Sequence, residues 1–331
     1  MSKTPAGTGE DRLIAQYFAP LAKHPGALGL TDDAALLTPP AGSDLVLTKD
    51  AIVAGVHFFA DDPADAIARK ALRVNLSDLA AKGAGPAGFL LALALPETIT
   101  EVWLKAFATG LGADAEAYGC PLLGGDTVRT PGPLMVSITA LGFVPKGMMV
   151  RRRGARPGDR VIVTGTIGDA ALGLRLRGDA APRWKLDATM RAHLAGRYLL
   201  PQPRNALATL MQRHASAAMD VSDGLAGDLA KLCRASGVTA EVDVATVPLS
   251  DGARTALAAE AKLIETILSG GDDYEILCSV PAAEAEPFVT GAKALGINAT
   301  VIGCFVAGEG APRFIADGTA LALSQTSFSH F

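Results

Sequence analysis

Leu13, Ile14, Tyr17, Phe18 and Leu21 recur at the three- and four-residue spacing of one helix face, and Pro25-Gly26 closes that segment. Thr8 and Asp11 stand at capping-box spacing at its start. The apolar run 45–48 leads into Lys49-Asp50 and predicts a short strand. Pro63 suits a first helical turn, and the pattern over 64–81 predicts a helix that stops near Gly83. Residues 89–95 read as a buried strand and 101–118 as a helix stopped by Gly119. Leu122-Leu123 then leads into Gly124-Gly125-Asp126, and 134–144 is another strand. Further on, strands at 160–164, 217–221, 239–244, 275–280 and 300–305 alternate with helical segments, among them 224–235 and 282–295.

Both halves mix strands and helices, so the expected class is α/β or α+β. A chain of 331 residues is long for one core, which favours two mixed domains. The stretch 146–159, KGMMVRRRGARPGD, is basic and rich in Gly and Pro, and marks the boundary: domains 1–147 and 148–331.

Composition narrows the chemistry. Hydrophobic residues make up 49% and charged residues 19%, the profile of a packed globular protein. A net charge of −4 provides no global field for nucleic acid or an anionic membrane, so an anionic substrate would need local cations. Cys120, Cys233, Cys278 and Cys304 are scattered, without a C-x-x-C pair, and suggest neither a zinc site nor a disulfide framework. No signal-peptide pattern opens the chain, and the longest uncharged apolar stretch, 83–96, is too short to span a bilayer. The expectation is a soluble cytoplasmic protein.

The candidate chemistry lies in the aspartates. Three apolar strands are expected to end in Asp50, Asp126 and Asp220, where α/β proteins place ligands. Asp32-Asp33 precede an apolar run, Asp78 sits late in an apolar helix beside Asn75 and Ser77, and a Gly pair precedes Asp272-Asp273. Converging carboxylates repel unless a cation sits among them. Oxygen donors with little His and no paired Cys favour Mg²⁺ or Mn²⁺, and such ions serve polyphosphates. Against this, Asp beside Gly is common in turns, and Asp223-Gly224 could simply cap the following helix.

Standard phosphate motifs are missing: there is no G-x-x-x-x-G-K-[ST], H-R-D or D-F-G. Gly165-Thr-Ile-Gly168 follows a strand and opens a helix, so it could cradle a phosphate or serve close strand–helix packing.

Taken together, the segments resemble the thiamine-monophosphate kinase family, within the ATP-binding superfamily of aminoimidazole ribonucleotide synthetase and selenophosphate synthetase. The matching pieces are GEDRLIAQYF at 9–18, TDDAALL at 31–37, TKDAIVAGVHF at 48–58, KALRVNLSDLAAKGA at 70–84 and LLGGDT at 122–127. RRRGARPGDRVIVTGTIGDAALGL at 151–174, AMDVSDGLAGDL at 218–229 and SGGDDYEIL at 269–277 continue the order.

The resemblance implies ATP- and Mg²⁺-dependent phosphorylation of thiamine monophosphate to thiamine diphosphate, the last step of that cofactor's synthesis, by direct in-line transfer. It implies an N-terminal sheet that pairs across a homodimer and ATP in a cleft between domains. The family's metal ligands fall on Asp33, Thr48, Lys49, Asp50, Asp78, Asp126, Asp220 and Asp223, of which Asp50, Asp78, Asp126 and Asp220 hold the ions of catalysis. ATP contacts fall on Gly125, Asp126, Arg152 and Ser222, and substrate contacts on His57, Asp272 and Phe328. Three positions depart from the family: Thr31 stands for the usual Gly, Lys49 for the common Thr and Asp272 for the usual Glu. Lys49 could ligate only through its backbone carbonyl. Ser222 alternates with Asp220, which puts both on one side if the strand persists. Other readings are a superfamily enzyme with a different phosphate acceptor, or a silent thiamine- or nucleotide-binding homologue. The first cysteine, Cys120, comes too late for the reactive N-terminal Cys of selenophosphate synthetase.

Overall fold

A computed structural model describes residues 9–178, 184–325 and 327. Thr8 and Phe328 lie outside them. The described residues fall into two compact units. The first runs up to Leu79 and resumes over Ala84–Gly147; the second takes Ala80–Gly83 and the chain from Met148 onward.

The first unit begins with α1 (Gly9–Leu13), which gives way to a π turn at Ile14–Phe18 and a 3-10 turn at Ala19–Leu21. The single amphipathic helix expected here is therefore three short pieces. Pro20 lacks the N–H that a regular helix would need there. Tyr17 and Phe18 are still buried, as the apolar spacing required. Then come β1 (Ser43–Val53), α2 (Ala64–Ala81), β2 (Gly85–Leu95), α3 (Glu101–Ala117), β3 (Leu122–Arg129) and β4 (Met135–Pro145). The strand order is β1-β4-β2-β3. Only β2 and β3 run parallel, joined through α3 as a parallel pair demands. Ile67, Leu72, Leu76, Phe107 and Leu111 from the helices pack on Phe89, Leu91, Leu93 and Ile138 of the sheet.

β1 is longer than the run 45–48 predicted, because β4 offers partners along its whole length, with Asp50 opposite Ile138 and Val53 opposite Met135. Its residues alternate. Val46 and Ile52 enter the core, whereas Leu45 and Leu47 face outward.

The second unit holds β5 (Arg160–Thr164), α4 (Asp169–Arg175), α5 (Ala188–Leu199), α6 (Ala208–His214), β6 (Ala217–Asp220), α7 (Leu225–Ser236) and β7 (Thr239–Asp243). It continues with α8 (Asp251–Ala259), α9 (Leu263–Ser269), β8 (Ile276–Val280), α10 (Ala285–Ala294), β9 (Ala299–Val306), β10 (Arg313–Ala316) and β11 (Thr319–Ala320). The sheet order is β11-β10-β7-β9-β5-β8-β6, antiparallel except for β10 beside β7. Both faces of this sheet are covered. Val161, Val163 and Met219 enter one core, while Ile162, Ala218 and Cys278 enter another. Both units are thus mixed α/β.

Candidate functional site

Of the three aspartates expected at strand ends, only Asp220 is at one. β1 continues past Asp50 to Val53, and β3 past Asp126 to Arg129, because each stays paired with a neighbour. The period-two alternation then decides which side each candidate serves.

Thr48 and Asp50 point to the α2 side. The Thr48 hydroxyl donates a short hydrogen bond to the Asp78 carboxylate. The Asp50 backbone N–H donates to Asn75 Oδ1 at 3.1 Å, and Asn75 Nδ2 donates to the Ala71 carbonyl at 3.0 Å. α2 therefore delivers Asn75 and Asp78, one helical turn apart, to the same stretch of β1. Asn75 is fully buried and rigidly bonded, so it fixes the backbone between Lys49 and Asp50.

Lys49 points to the opposite side. Its Nζ donates to Ser137 Oγ at 2.6 Å, and that hydroxyl in turn donates to the Asp50 carbonyl at 3.2 Å. Lys49 lines a cavity of about 690 Å³ in the first unit, together with Asp33, Gly125 and Asp126. Its walls are mainly apolar, with Ile14, Phe18, Leu30, Leu37 and Leu90 among them. This is the size and character of a small-molecule pocket. Gly125 is required where it stands, since a Cβ there would lie 1.9 Å from the Leu91 carbonyl oxygen. The first-unit candidates thus serve two faces of one sheet: Thr48, Asp50 and Asp78 on one, Lys49 and Asp126 on the other, with Asp33 in a loop that lines the same cavity as Lys49.

His57 sits in the turn after β1. Its Nδ1 accepts from the Val53 N–H at 3.1 Å, which places the ring proton on Nε2. The buried Lys70 donates to the His57 carbonyl at 2.9 Å and fixes the turn from beneath.

In the second unit β6 stops at Asp220, so Ser222 lies in a loop and the expected strand alternation with Asp220 does not apply. The loop is tied to α7. The N–H groups of Ser222 and Asp223 both donate to Asp228 Oδ2, at 3.0 and 2.9 Å. Lys231 bridges Asp228, at 2.8 Å, and Asp223. Burial raises the Asp228 pKa despite the pull of Lys231. Asp223, a candidate metal ligand, thus stands ion-paired to a lysine.

The segment 270–274 lies along this loop. The N–H groups of Asp272 and Tyr274 donate to the carbonyls of Ser222 and Val221, each at 2.8 Å. Gly271 permits the approach: a Cβ there would fall 2.4 Å from the Ser222 carbonyl oxygen. Asp272 and Tyr274 adopt left-handed φ of 72° and 50°, a strained backbone of the kind found at ligand sites. The acids between and after them are sealed inside. Asp273 is buried and its pKa lies well above the ordinary range because of that burial, opposed by the Gly168 N–H that it accepts at 2.7 Å. Glu275 receives Arg197 at 2.8 Å, Arg204, and the Thr164 hydroxyl at 2.6 Å.

These bonds decide the role of the turn Gly165-Thr-Ile-Gly168. Three of its four N–H groups are taken: Gly165 by the Asn298 carbonyl, Ile167 by the Pro248 carbonyl and Gly168 by Asp273. The turn is close packing, and the phosphate-cradle alternative falls away. Arg152 lies in an exposed loop whose neighbours Gly154 and Ala155 are anchored on Ser236 Oγ at 3.1 and 3.2 Å. Among the described residues no three His, Cys, Asp or Glu side chains form a group able to share one ion.

Sequence reasoning missed Ser137, Asp228, Lys231, Arg197 and Glu275. A lone Ser or Lys on an amphipathic element carries no signal of its own. Only Asp228, an acid on the apolar side of a helix, could have been suspected.

The chain matches the AIR synthase related protein family twice, by its N-terminal domain over residues 31–144 and its C-terminal domain over 156–313. The thiamine-monophosphate kinase of Caulobacter vibrioides is 47% identical over 305 residues, 91% of this chain and 85% of the relative. That of Salmonella typhimurium is 41% identical, covering 98% of each. The chain belongs to the thiamine-monophosphate kinase family. Among solved structures, the thiamine-monophosphate kinase from Stenotrophomonas maltophilia superposes with a TM-score of 0.82 at 40% identity, covering 94% of this chain and 96% of that one. AaThiL complexed with AMPPCP and TMP superposes with a TM-score of 0.77 at 32% identity, covering 91% of each. The thiamine-monophosphate kinase fold thus accounts for both sheets, and no helix of the described residues is long and apolar enough to cross a membrane.

Proposed function

We propose that this protein transfers the γ-phosphoryl group of ATP to the phosphate of thiamine monophosphate, yielding thiamine diphosphate and ADP. The observation that carries this reading is similarity along nearly the whole chain to thiamine-monophosphate kinases, one relative of which was solved with AMPPCP and TMP. The acceptor phosphate is already an anion at neutral pH, so the reaction needs positioning and charge neutralisation more than a strong base.

Hydroxyl and carboxylate oxygens are hard donors. Thr48, Asp50 and Asp78 fit Mg²⁺, which takes one or two carboxylates and fills its remaining positions with water and phosphate. Asp33, Asp126, Asp220 and Asp223 are further candidates by the family pattern. Bound divalent ions would supply charge neutralisation between the two anionic reactants. The Lys49 ammonium has no lone pair and cannot be a ligand through its side chain. Asn75 accepts from the Asp50 N–H and Ser137 donates to its carbonyl, so the backbone that carries the Asp50 carboxylate is held in place. Arg152 presents a fork suited to phosphate. The Nε2 proton of His57 and the carboxylate of Asp272 suit the polar ring atoms and the positive thiazolium of the acceptor. Gly125 and Ser222 offer backbone and hydroxyl contacts to the nucleotide. Phe328 falls outside the described residues.

We extend the proposal to a homodimer. Leu45, Leu47, Leu90 and Val128 are exposed on the face of the first sheet opposite α2 and α3. A second copy of the chain is the occupant that the family resemblance names.

Purified protein mixed with ATP, Mg²⁺ and thiamine monophosphate should form thiamine diphosphate and ADP in equal amounts. ADP without thiamine diphosphate, or neither product, would overturn the reading.

A further inference from the structure

The candidate at position 49 is a lysine where the family commonly has threonine, and its geometry gives it a task of its own. Lys49 leaves β1 on the side opposite Thr48 and Asp50, so it does not share their ion. It enters the 690 Å³ cavity instead, as the only Lys or Arg among the lining residues, against the carboxylates of Glu10, Asp32, Asp33 and Asp126. An ammonium in such company would normally pair with an acid. Here its partner is the Ser137 hydroxyl at 2.6 Å, and among the described residues it makes no ion pair. Ser137 gives its own proton to the Asp50 carbonyl, so it turns a lone pair toward Nζ and fixes the ammonium in place. Two of the three N–H donors are left for a ligand.

We propose that Lys49 binds a phosphate group of the nucleotide directly, as a cation built into the chain. The inference builds on the kinase reading and deepens it. An anionic chain entering a cavity with four acids meets repulsion, which a divalent ion offsets only at the cost of recruiting that ion. A covalently attached ammonium, already oriented by Ser137, offsets part of it permanently. Nucleotide binding in this protein should therefore depend less on Mg²⁺ than it would with threonine at this position. The Ser137–Asp50 link also joins this cation to the backbone that carries the Asp50 carboxylate on the other face.

The test is calorimetric titration with ADP, in EDTA and across a series of Mg²⁺ concentrations, on the wild type, Lys49→Met and Lys49→Arg, with unfolding midpoints to confirm folding. A hydrogen bond to a charged partner is worth about 1.5–3 kcal/mol, which corresponds to about a tenfold or greater loss of affinity. Lys49→Met should lose about that factor in ADP affinity and need more Mg²⁺ to reach half-maximal binding, and Lys49→Arg should recover most of it. Equal ADP affinity and an equal Mg²⁺ midpoint in Lys49→Met and wild type would overturn the role of Lys49. Wild-type protein that turns over thiamine monophosphate while Lys49→Met binds ADP normally would sink this inference alone. Wild type that neither binds ADP nor forms thiamine diphosphate would sink the kinase reading with it.

Discussion

Arg197 donates to the Glu275 carboxylate at 2.8 Å, and neither side chain exposes more than 4% of its surface. Arg204 joins from the other side, and Thr164 adds its hydroxyl. The same Arg197 donates to the Asp273 carbonyl at 2.8 Å, directly behind the strained pair Asp272 and Tyr274. A buried ion network thus holds a candidate substrate loop in a conformation it would not adopt alone.

Truncating Glu275 leaves two guanidinium groups without their counter-charge. Breaking a buried pair from one side costs about 3–5 kcal/mol. Glu275→Ala should lower the stability in urea by that order, and the surviving protein should show a raised KM for the thiamine substrate because Asp272 is no longer held. A loss below about 1 kcal/mol would mean that the network is not what secures the loop.

A second cluster, built on the buried Asp169, makes stability depend on pH. His193 Nε2 donates to Asp169 Oδ2 at 2.8 Å, and Asp169 also accepts from Ser250 and Thr166, each at 2.5 Å. The hydrogen bond to Asp169 raises the His193 pKa, outweighing its partial burial and the nearby positive Arg197; Asp251 adds a further upward pull. A raised folded pKa means that the stabilisation is complete below the unfolded value, about 6.5, and is lost as pH rises through the folded one. For Asp169, burial pushes the pKa up, but the bonds from His193, Ser250 and Thr166 bring it below the usual range. Its contribution is present above the ordinary carboxylate pKa and fades as pH falls. His193→Gln keeps a donor without the titration. As pH rises above about 6.5, its unfolding midpoint should fall less than that of the wild type. An unchanged slope in the variant would assign the effect elsewhere.

How much of this was readable beforehand depended on whether a residue's neighbours lie nearby in sequence. α2 was legible over 64–81 because its start and stop signals are local, with Pro63 before it and Gly83 after it. α8 was missed although Ser250 caps it by accepting from the Ala253 N–H at 3.0 Å; its alanines give a weak apolar face. Asp50 and Asp126 looked like strand ends because the apolar run stops there. Their strands continue because β4 and β2 supply partners from far along the chain. The acids of the site were legible as residue types, but not the sheet face each one serves. The burial of Glu275 was not legible, since the arginines that allow it come from a helix and a turn far from it in sequence.

The loop after β6 depends on Asp228 in the same way. Asp228→Ala removes the acceptor of two N–H groups and strands Lys231 beside Asp223 alone. Each donor left unpaired costs about 1–3 kcal/mol where water cannot replace the partner. The variant should be less stable, and its amides at Ser222 and Asp223 should exchange hydrogen faster than those of β8. Unaltered protection at those two amides would show that another group holds the loop.

The open face of the first sheet makes its own prediction. Leu47 is 61% exposed and pairs in register with Leu141 of β4. If a second copy covers this face, Leu47→Asp places a charge at an apolar contact and should convert a dimer into a monomer by light scattering, while the folded unit remains. A variant that stays dimeric would remove this face as the interface.

The sharpest test of the site is Asp78→Asn. The substitution keeps an oxygen for the Thr48 hydroxyl and nearly the same volume, so the hydrogen bond and the packing of α2 can persist. It removes a negative charge from the side of β1 on which Thr48 and Asp50 also lie. If Asp78 holds a divalent ion against the transferring phosphoryl group, turnover should fall by about 10²–10³, the loss typical of removing one electrostatic stabiliser. The unfolding midpoint should stay near that of the wild type, and the Mg²⁺ concentration for half-maximal rate should rise. Near-normal turnover with an unchanged Mg²⁺ requirement would take Asp78 out of the machinery and leave its bond to Thr48 as a packing contact.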